Sequence, residues 1–418
     1  MKILALSSFF HARGGDMTYA NGLSALLREA GDEVIPFAMR HPDNDPSPWE
    51  SRFPSWVDPW GAAGLQAQLR LLPRLIWSFE AATALKGVIR DTAPDLAHIH
   101  HVHRHLTPSV LTPLNAAGVP VLWTVHDAEL VCPAGTLYSQ GAPCERCLGG
   151  DLSHAVARRC KADALLPSVA VALEKRVHAA LKVHDRVTAF LCPSRFMADV
   201  LLRAGLPSKK VFHIPNFLDP SGVVLGATPG EGWLYAGRLA PEKGVDTLLE
   251  AAARLPGATL TVCGSGPLEG RLRAAAESMP QIRLLGQVPR ARLAALIAEA
   301  RVVAVPSRWP ENYPYAVLEA QAAGRAVVAS RVGGIPEQIR SGVDGVLVPA
   351  GDPDALAGAV SALLADPDRA AALGAAGRAR VLEAAAPAAH LQQLRSLYAA
   401  AMAAGNQRST AEDPELKL

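Results

Sequence analysis

The chain repeats one pattern twice: a short apolar run, a turn and an amphipathic segment, followed by another apolar run. In the first half, residues 3–6 form the opening run, a helical pattern ends at Gly31, and residues 33–37 form the next run. In the second half, residues 233–237 restart the pattern and residues 259–263 continue it. Strands that alternate with helices form parallel sheets with helices on both faces. The sequence therefore predicts an α/β protein with two Rossmann-like, doubly wound parallel-sheet domains.

The length of the chain independently favours two domains. Its 418 residues, of which 50% are hydrophobic, exceed one ordinary core and suffice for two domains of about 200 residues each. We predict that these domains span residues 1–215 and 216–386. The end of the chain is polar, and we expect residues 405–418 to form a flexible tail.

Charge and hydropathy exclude several classes of protein. The net charge of +2, with both signs interspersed, gives too weak a field for tight nucleic-acid binding. No run of about 18 apolar residues appears, so we expect no transmembrane segment. We interpret residues 1–10 as a first strand rather than a signal peptide and expect a cytoplasmic protein. The mildly basic segment 158–182 leaves open a peripheral contact with the inner face of the membrane, with a solvated helix face as the alternative.

Two glutamates frame a short segment in the second half of the chain. Glu311 and Glu319 enclose Asn-Tyr-Pro-Tyr-Ala-Val-Leu, and Pro314 suits the first turn of a helix. We therefore expect Glu311 in a loop and Glu319 about one turn inside the helix. The free N–H groups between them, at the positive end of the helix dipole, form a natural cradle for an anion.

Two basic residues precede this segment, in a glycine-bounded stretch that runs from Gly237 to Gly244. Arg238 can fork two phosphate oxygens, and Lys243 adds a compact positive charge. Two cations for a diphosphate and two carboxylates for hydroxyl groups are the inventory that a nucleotide-sugar pocket needs. The four side chains therefore predict a shared binding site.

The spacing of the two glutamates, preceded by a strand and a Trp-Pro turn, resembles the signature of retaining glycosyltransferases of family 4. The resemblance implies the GT-B fold, in which two Rossmann-like domains face a central cleft. It implies that Arg238 and Lys243 bind the diphosphate, that Glu311 binds the hydroxyl groups of the donor sugar, and that Glu319 binds the ribose. The chemistry of such enzymes generally requires no metal or other cofactor.

The same resemblance assigns roles to the domains. The first domain would hold the acceptor, and the second would hold the nucleotide-sugar donor. A helix over residues 387–404 would cross back to the first domain. The His126-Asp127 pair, at the end of a predicted strand, resembles the first-domain site residue of this family that meets the donor sugar near the reacting centre, with a capping pair in a loop as the alternative. Gly14-Gly15 would let the backbone approach the donor phosphates, with a plain tight turn as the alternative.

The motifs and the resemblance together predict two sets of site residues. The predicted catalytic residues are His126, Arg238, Lys243 and Glu311. The predicted donor-binding residues are Gly14, Gly15, Gly237, Gly264, Gly266, Asn312, Tyr313, Pro314, Tyr315, Ala316 and Glu319. The expected reaction transfers a sugar with retention of configuration from a nucleotide-diphosphate sugar, with UDP as the expected carrier, to an acceptor such as a glycan, glycolipid or small molecule. A sugar-nucleotide 2-epimerase of the same fold and a non-catalytic nucleotide-sugar-binding protein stay open as alternatives.

Four of the six cysteines cluster in one stretch of the first domain. They are Cys132, Cys144, Cys147 and Cys160, and they define a cysteine-rich insertion over about residues 132–160. Thiolates at this density, with one Cys-x-x-Cys pair, fit a tetrahedral zinc site that would stabilise an otherwise loop-like segment. Free thiols, a redox pair and an iron–sulfur cluster are the alternatives. Any metal bound here would be structural.

Overall fold

Two six-stranded parallel sheets form the frame of the molecule. The computed structural model describes residues 1–11, 14–58, 65–226 and 229–411. The first sheet is built from the first half of the chain and the second sheet from the second half. This arrangement confirms the predicted α/β architecture with two doubly wound sheets.

The first sheet is almost entirely buried, as parallel strands covered by helices on both faces should be. The strands of this half are β1 (Lys2–Leu6), β2 (Glu33–Phe37), β3 (Leu96–Ile99), β4 (Val121–Thr124), β5 (Tyr138–Ser139), β6 (Ala142–Pro143), β7 (Ala189–Cys192) and β8 (Val211–His213). Six of them form the sheet in the order β2-β1-β3-β4-β7-β8, whereas β5 and β6 pair separately as an antiparallel hairpin. The direction of strand addition therefore reverses at β1.

Two of the helices in the first half begin at a serine that caps their free N–H groups. The helices of this half are α1 (Gly14–Glu29), α2 (Leu65–Ile76), α3 (Phe79–Thr92), α4 (Leu111–Ala116), α5 (Ser153–Ala157), α6 (Leu165–Ala180) and α7 (Arg195–Arg203). The side chain of Ser78 accepts a hydrogen bond from the backbone N–H of Ala81 at the start of α3, and Ser194 does the same for Met197 in α7. Such caps satisfy donors that have no partner within the helix.

The second sheet is also built from six parallel strands, with one reversal in the direction of strand addition. Its strands are β9 (Glu231–Ala236), β10 (Leu260–Cys263), β11 (Ile282–Gly286), β12 (Ala300–Val305), β13 (Ala326–Ser330) and β14 (Val346–Val348). Their order is β11-β10-β9-β12-β13-β14, so the direction of strand addition reverses at β9. The helices are α8 (Val245–Ala253), α9 (Glu269–Ser278), α10 (Arg290–Glu299), α11 (Tyr315–Ala322), α12 (Ile335–Gln338), α13 (Pro353–Ala365), α14 (Pro367–Ala384) and α15 (Pro387–Ala411).

The C-terminal helix α15 packs on the first domain. Leu394 and Tyr398 are buried in the core of that domain. The hydroxyl group of Tyr398 lies 2.6 Å from Nδ1 of His98 in β3, and the guanidinium of Arg395 lies 2.7 Å from the carboxylate of Asp32. The chain thus returns to the domain in which it began and ties both halves together.

The helix α15 is longer than predicted. It continues through Ala411, past the expected end at residue 404, so part of the expected tail is helical. The rest of that tail, residues 412–418, lies outside the described residues.

Among the residues that the structure describes, no helix combines the length and the apolar character needed to cross a bilayer. Helix α6 does expose several large apolar side chains on the surface of the first domain. They are Leu165, Leu166, Val169 and Leu173. The peripheral membrane contact stays a prediction.

Candidate active site

A cavity of about 460 Å³ lies between the two domains. In the first domain it is lined by Gly14, which follows β1, and by His126, which follows β4. In the second domain it is lined by Gly237, which follows β9, and by Ser307, which follows β12. Open α/β sheets bind ligands outside the carboxyl ends of their strands, where the direction of strand addition reverses. In each sheet the direction of strand addition reverses at a strand that borders this cavity. The sheet edge at which such folds bind ligands therefore faces the cavity in both domains.

Most of the predicted site residues line this cavity. They are His126, Arg238, Lys243 and Glu311 from the predicted catalytic set, together with Gly14, Gly15, Gly237, Asn312, Tyr313, Pro314, Tyr315 and Ala316. Three predicted donor-binding residues, Gly264, Gly266 and Glu319, do not line it. The structure therefore brings together residues from both halves of the chain.

Two loops of the second domain pack backbone against backbone at the edge of the cavity. Gly244 has a φ of +75°, and a Cβ atom there would lie 1.9 Å from the carbonyl oxygen of Pro306, so the contact requires glycine. The backbone N–H of Arg308 donates to the carbonyl oxygen of Glu242 at 2.9 Å. This contact holds the loop after β9 against the loop after β12.

The close approach of these loops joins Lys243 to Glu311. The Lys243 ammonium lies 2.8 Å from Oε1 of Glu311, and the hydroxyl group of Ser307 donates to the same oxygen at 2.6 Å. The ammonium also stands 4.6 Å from the centre of the Trp309 ring, within cation–π range. Burial raises the pKa of Glu311, but the charge of Lys243 and the hydrogen bonds lower it by more. Glu311 is therefore an ionised carboxylate beside a cation at neutral pH.

Arg238 occupies the rim of the cavity. Its side chain is 56% exposed and forms an ion pair with Glu242. Its backbone carbonyl accepts a hydrogen bond from the Tyr235 hydroxyl group at 2.8 Å, which fixes the loop while the guanidinium stays accessible. An anionic ligand would compete with Glu242 for this guanidinium.

Gly264 and Gly266 shape the loop that carries Arg238. A Cβ atom at Gly264 would lie 1.9 Å from the carbonyl oxygen of Gly237, and one at Gly266 would lie 2.5 Å from that of Leu239. Their φ angles of +134° and +156° also disfavour other residues. The geometry gives both glycines a packing role behind the cavity, and their predicted contact with the donor stays a prediction.

The two glutamates of the spacing motif face different cavities. Glu319 lies on α11 and lines a smaller cavity of about 40 Å³ together with Asp219 and Arg290. Burial raises the pKa of Glu319, and the charge of Arg290 opposes this only in part. In the described part of the chain its carboxylate makes no hydrogen bond or ion pair. It is a partly buried acceptor that ligand hydroxyl groups could reach.

His126 is held neutral at the first-domain wall of the cavity. Its Nε2 lies 3.3 Å from Nδ1 of His100, and its ring contacts that of Tyr19 edge to face at 5.3 Å. Burial, reinforced by the neighbouring His100 and His101, holds the pKa of His126 well below 6.5. A neutral imidazole can exchange a hydrogen bond with a sugar hydroxyl group without adding charge.

Asn312 joins the two walls of the cavity. Its amide nitrogen donates to the backbone carbonyls of Val125 at 2.8 Å and His126 at 3.1 Å. Its amide oxygen accepts a hydrogen bond from the hydroxyl group of Ser194 at 2.6 Å. Asn312, which is predicted to bind the donor, therefore also fixes the second-domain loop to the first domain.

A second cavity of about 580 Å³, which the sequence motifs did not predict, adjoins the first. Asp16, Asp127 and Arg238 line both cavities. Burial lowers the pKa of His101 in this second cavity, but hydrogen bonds and charges from Asp127 and Glu129 raise it well above its usual value. Two features of the sequence could have indicated this cavity. Asp16 directly follows Gly14-Gly15, and Asp127 and Glu129 lie within three residues of the predicted strand end at His126.

Both halves of the chain match established family models. Residues 13–221 match the model for Glycosyltransferase Family 4, and residues 230–380 match the model for Glycosyl transferases group 1. The chain is 30% identical over 392 residues to the D-inositol 3-phosphate glycosyltransferase of Segniliparus rotundus, in an alignment that covers 87% of this chain and 80% of that protein.

A second relative matches over a shorter span. The chain is 39% identical over 154 residues to the GDP-mannose-dependent alpha-(1-6)-phosphatidylinositol monomannoside mannosyltransferase of Mycolicibacterium smegmatis. This alignment covers 34% of the chain and 40% of the relative.

Solved structures share the fold over nearly the whole chain. Sucrose-phosphate synthase from Thermosynechococcus elongatus superposes with a TM-score of 0.71 at 22% identity, covering 96% of this chain and 99% of that one. Anabaena Alr3699/HepE in complex with UDP-glucose superposes with a TM-score of 0.67 at 18% identity, covering 96% and 100%. The chain therefore belongs to glycosyltransferase family 4, adopts the GT-B fold and is a glycosyltransferase.

Proposed function

We propose that the protein transfers a sugar from a UDP-sugar to an acceptor held by the first domain, with retention of the anomeric configuration. The observation that carries this proposal is the pairing of Lys243 with the buried, ionised Glu311 in a cavity whose opposite wall contains Gly14-Gly15. A cation and a carboxylate placed side by side match the junction of a sugar and a diphosphate. Neither group alone would distinguish such a ligand from an ordinary anion.

The leaving group is the first electrostatic requirement of this reaction. Breaking the bond between the anomeric carbon and the diphosphate oxygen develops negative charge on the phosphate and positive charge on the sugar ring. Arg238 and Lys243 would stabilise the phosphate, together with backbone N–H groups at the start of α11. A single preorganised donor of this kind is worth about 2.7 to 4 kcal/mol in comparable sites.

The sugar itself would be oriented by Glu311 and His126. An ionised Glu311 accepts hydrogen bonds from sugar hydroxyl groups, and the neutral His126 can do so from the opposite wall. The acceptor oxygen would then attack the anomeric carbon from the face that the diphosphate leaves. The proton of the acceptor hydroxyl group would pass to the departing phosphate oxygen, so no protein nucleophile or separate base is required.

The second cavity is the site that we assign to the acceptor. It adjoins the first cavity at Asp16 and Asp127, which line both cavities. Trp56, which also lines it, is 50% exposed. Carboxylates that accept hydrogen bonds and an exposed aromatic ring suit a polyhydroxylated acceptor, so we expect a sugar unit here.

UDP is supported as the carrier by the UDP-glucose complex of the structural neighbour, whereas the name of one relative points to GDP-mannose. A thermal-shift screen of UDP-, GDP-, ADP- and TDP-sugars separates these cases. A donor at about 100 times its Kd stabilises by about 2.7 kcal/mol, so we expect the largest shift from a UDP-sugar. A shift confined to GDP-mannose would overturn the UDP assignment and leave the transfer reaction in place.

The best-binding donor is then tested for turnover. We expect release of the nucleoside diphosphate to depend on a carbohydrate acceptor drawn from a panel of glycans and glycolipids. Epimerisation or elimination of the donor without an acceptor would favour the epimerase instead. Tight donor binding with persistent inactivity across the panel would favour a non-catalytic sensor.

Glu319→Ala should weaken donor binding without abolishing catalysis. A hydrogen bond to a charged group contributes about 1.5 to 3 kcal/mol, so we expect the donor KM to rise about 10-fold or more while kcat changes little. Glu277→Ala, on the exposed surface of α9, is the matched control. An unchanged donor KM in the Glu319 variant would remove this residue from the ribose site.

A further inference from the structure

The four clustered cysteines converge on one small cavity in the first domain. Cys132 follows the turn after β4, Cys144 and Cys147 follow the β5–β6 hairpin, and Cys160 follows α5, yet all four line the same cavity of about 20 Å³. All four are free thiols. Side chains from three separate stretches of chain therefore meet at a space of the size of a single ion.

Metal binding would convert these thiols to thiolates, because the thiolate is the form that coordinates zinc and its binding releases protons.

We propose that Cys132, Cys144, Cys147 and Cys160 bind one structural Zn²⁺ ion. Zinc favours four thiolate ligands in a tetrahedron, with Zn–S distances of about 2.3 Å and hence sulfur atoms roughly 3.8 Å apart. Within the described chain, no three of these sulfur atoms lie within 4.8 Å of one another. Binding would therefore draw the four thiols inward and contract the cavity.

The segment that carries these cysteines contains little structure that could hold it in place. Between residues 132 and 160, β5 and β6 have two residues each and α5 has five. A metal that joins three parts of such a segment stabilises it directly, because its binding free energy adds to folding.

The same segment forms part of the active-site wall. Gly135 and Thr136 line the cavity of about 460 Å³. The carbonyl oxygen of Gly141 accepts a hydrogen bond of 3.0 Å from the guanidinium of Arg308 in the second domain. The metal would thus fix one wall of the cavity and one contact between the domains, without touching the substrates.

The test is metal analysis of the tag-free protein. We expect one zinc ion per chain by elemental analysis, and its loss in the Cys144→Ala/Cys147→Ala double variant. Cys192→Ala/Cys263→Ala is the matched control, because those two cysteines lie in β7 and β10 and should leave the zinc content unchanged.

A second measurement on the unmodified chain covers the case in which the variant fails to fold. Replacement of the metal by Co²⁺ should produce thiolate-to-cobalt charge-transfer absorption and the intense visible bands of a tetrahedral site. Removal of the metal should lower the Tm and expose four thiols to a thiol reagent. Three results would each overturn the proposal: absence of bound metal after reconstitution with Zn²⁺, a disulfide among the four cysteines, or iron with inorganic sulfide. Donor binding in the thermal-shift screen tests the proposed function separately from all three.

Discussion

Lys243→Ala is expected to reduce kcat by roughly 10²-fold to 10³-fold, because one preorganised donor at a developing negative charge contributes about 2.7 to 4 kcal/mol. The change also removes the cation 2.8 Å from Glu311. That carboxylate would then be buried without its partner, and breaking such a pair is itself destabilising. Steady-state kinetics with the identified donor measures the first effect, and thermal unfolding measures the second.

Arg238→Ala tests the other half of the diphosphate site. We expect a decrease in kcat of roughly 10²-fold with little change in Tm, because this guanidinium is mostly exposed and its only ion pair in the described chain is with Glu242. Arg273→Ala is a matched control, since Arg273 is also exposed and pairs with a glutamate four positions away, Glu269. Near-normal transfer by both the Lys243 and the Arg238 variants would defeat the assignment of a diphosphate clamp.

Glu311→Gln should reduce kcat/KM by about 10-fold to 100-fold, because hydrogen bonds to a charged group contribute about 1.5 to 3 kcal/mol. Glutamine keeps the size of the side chain and a hydrogen bond with Ser307, but it removes the charge beside Lys243. Kinetics with a fixed acceptor and varied donor measures the loss. Glu299→Gln, in an exposed ion pair with Arg292, provides the control. Transfer within about twofold of the unmodified enzyme would contradict a role for Glu311 at the sugar.

Glu311→Gln should also change how the free energy of unfolding depends on pH. The pKa of Glu311 is lower in the folded protein than its usual 4.5. Its ionised form therefore contributes stability above about pH 4.5, and that contribution is lost as pH falls through the folded pKa. We expect the free-energy difference of unfolding between the unmodified protein and Glu311→Gln to shrink as the pH is lowered from 6 to 3, as denaturant titrations can measure. A difference that grows on acidification would mean that the carboxylate is not paired in solution.

The architecture could be predicted because the strands and helices of a parallel sheet alternate, and this alternation is visible in the local sequence as apolar runs and amphipathic segments. The strands β1 and β9 are apolar runs followed by turns and amphipathic helices, and both appeared where the periodicity indicated. The strand β14 was not predicted, because three residues are too few for a periodic signal. The sequence did not predict the extension of α15 to Ala411 either, because polar residues near a chain end are as typical of a tail as of an exposed helix.

The candidate site was predictable only in part. Arg238, Lys243 and Glu311 could be named because their spacing resembles a family motif, and the structure brings all three to one cavity. The separation of Glu319 into its own cavity could not be foreseen, since Glu311 lies in the loop before α11 and Glu319 lies on the helix, and tertiary packing decides which cavity each side chain lines. The sequence did not predict the second cavity, because its lining residues come from separate stretches of the chain that only the fold brings together.

The chain by itself determined the α/β architecture with two parallel sheets and the resemblance to the family, because these follow from periodicity and from short motifs. Tertiary structure alone decided which charges meet and in what state. Lys243 and Glu311 lie 68 positions apart, and their pairing depends on a backbone contact at Gly244 that places the two loops together. Glu311 is ionised because Lys243 and its hydrogen bonds outweigh the effect of burial on its pKa, whereas His126 is neutral because burial and the nearby His100 both lower its pKa. Burial and long-range proximity are properties of the folded molecule, so no local pattern of residues could have specified them.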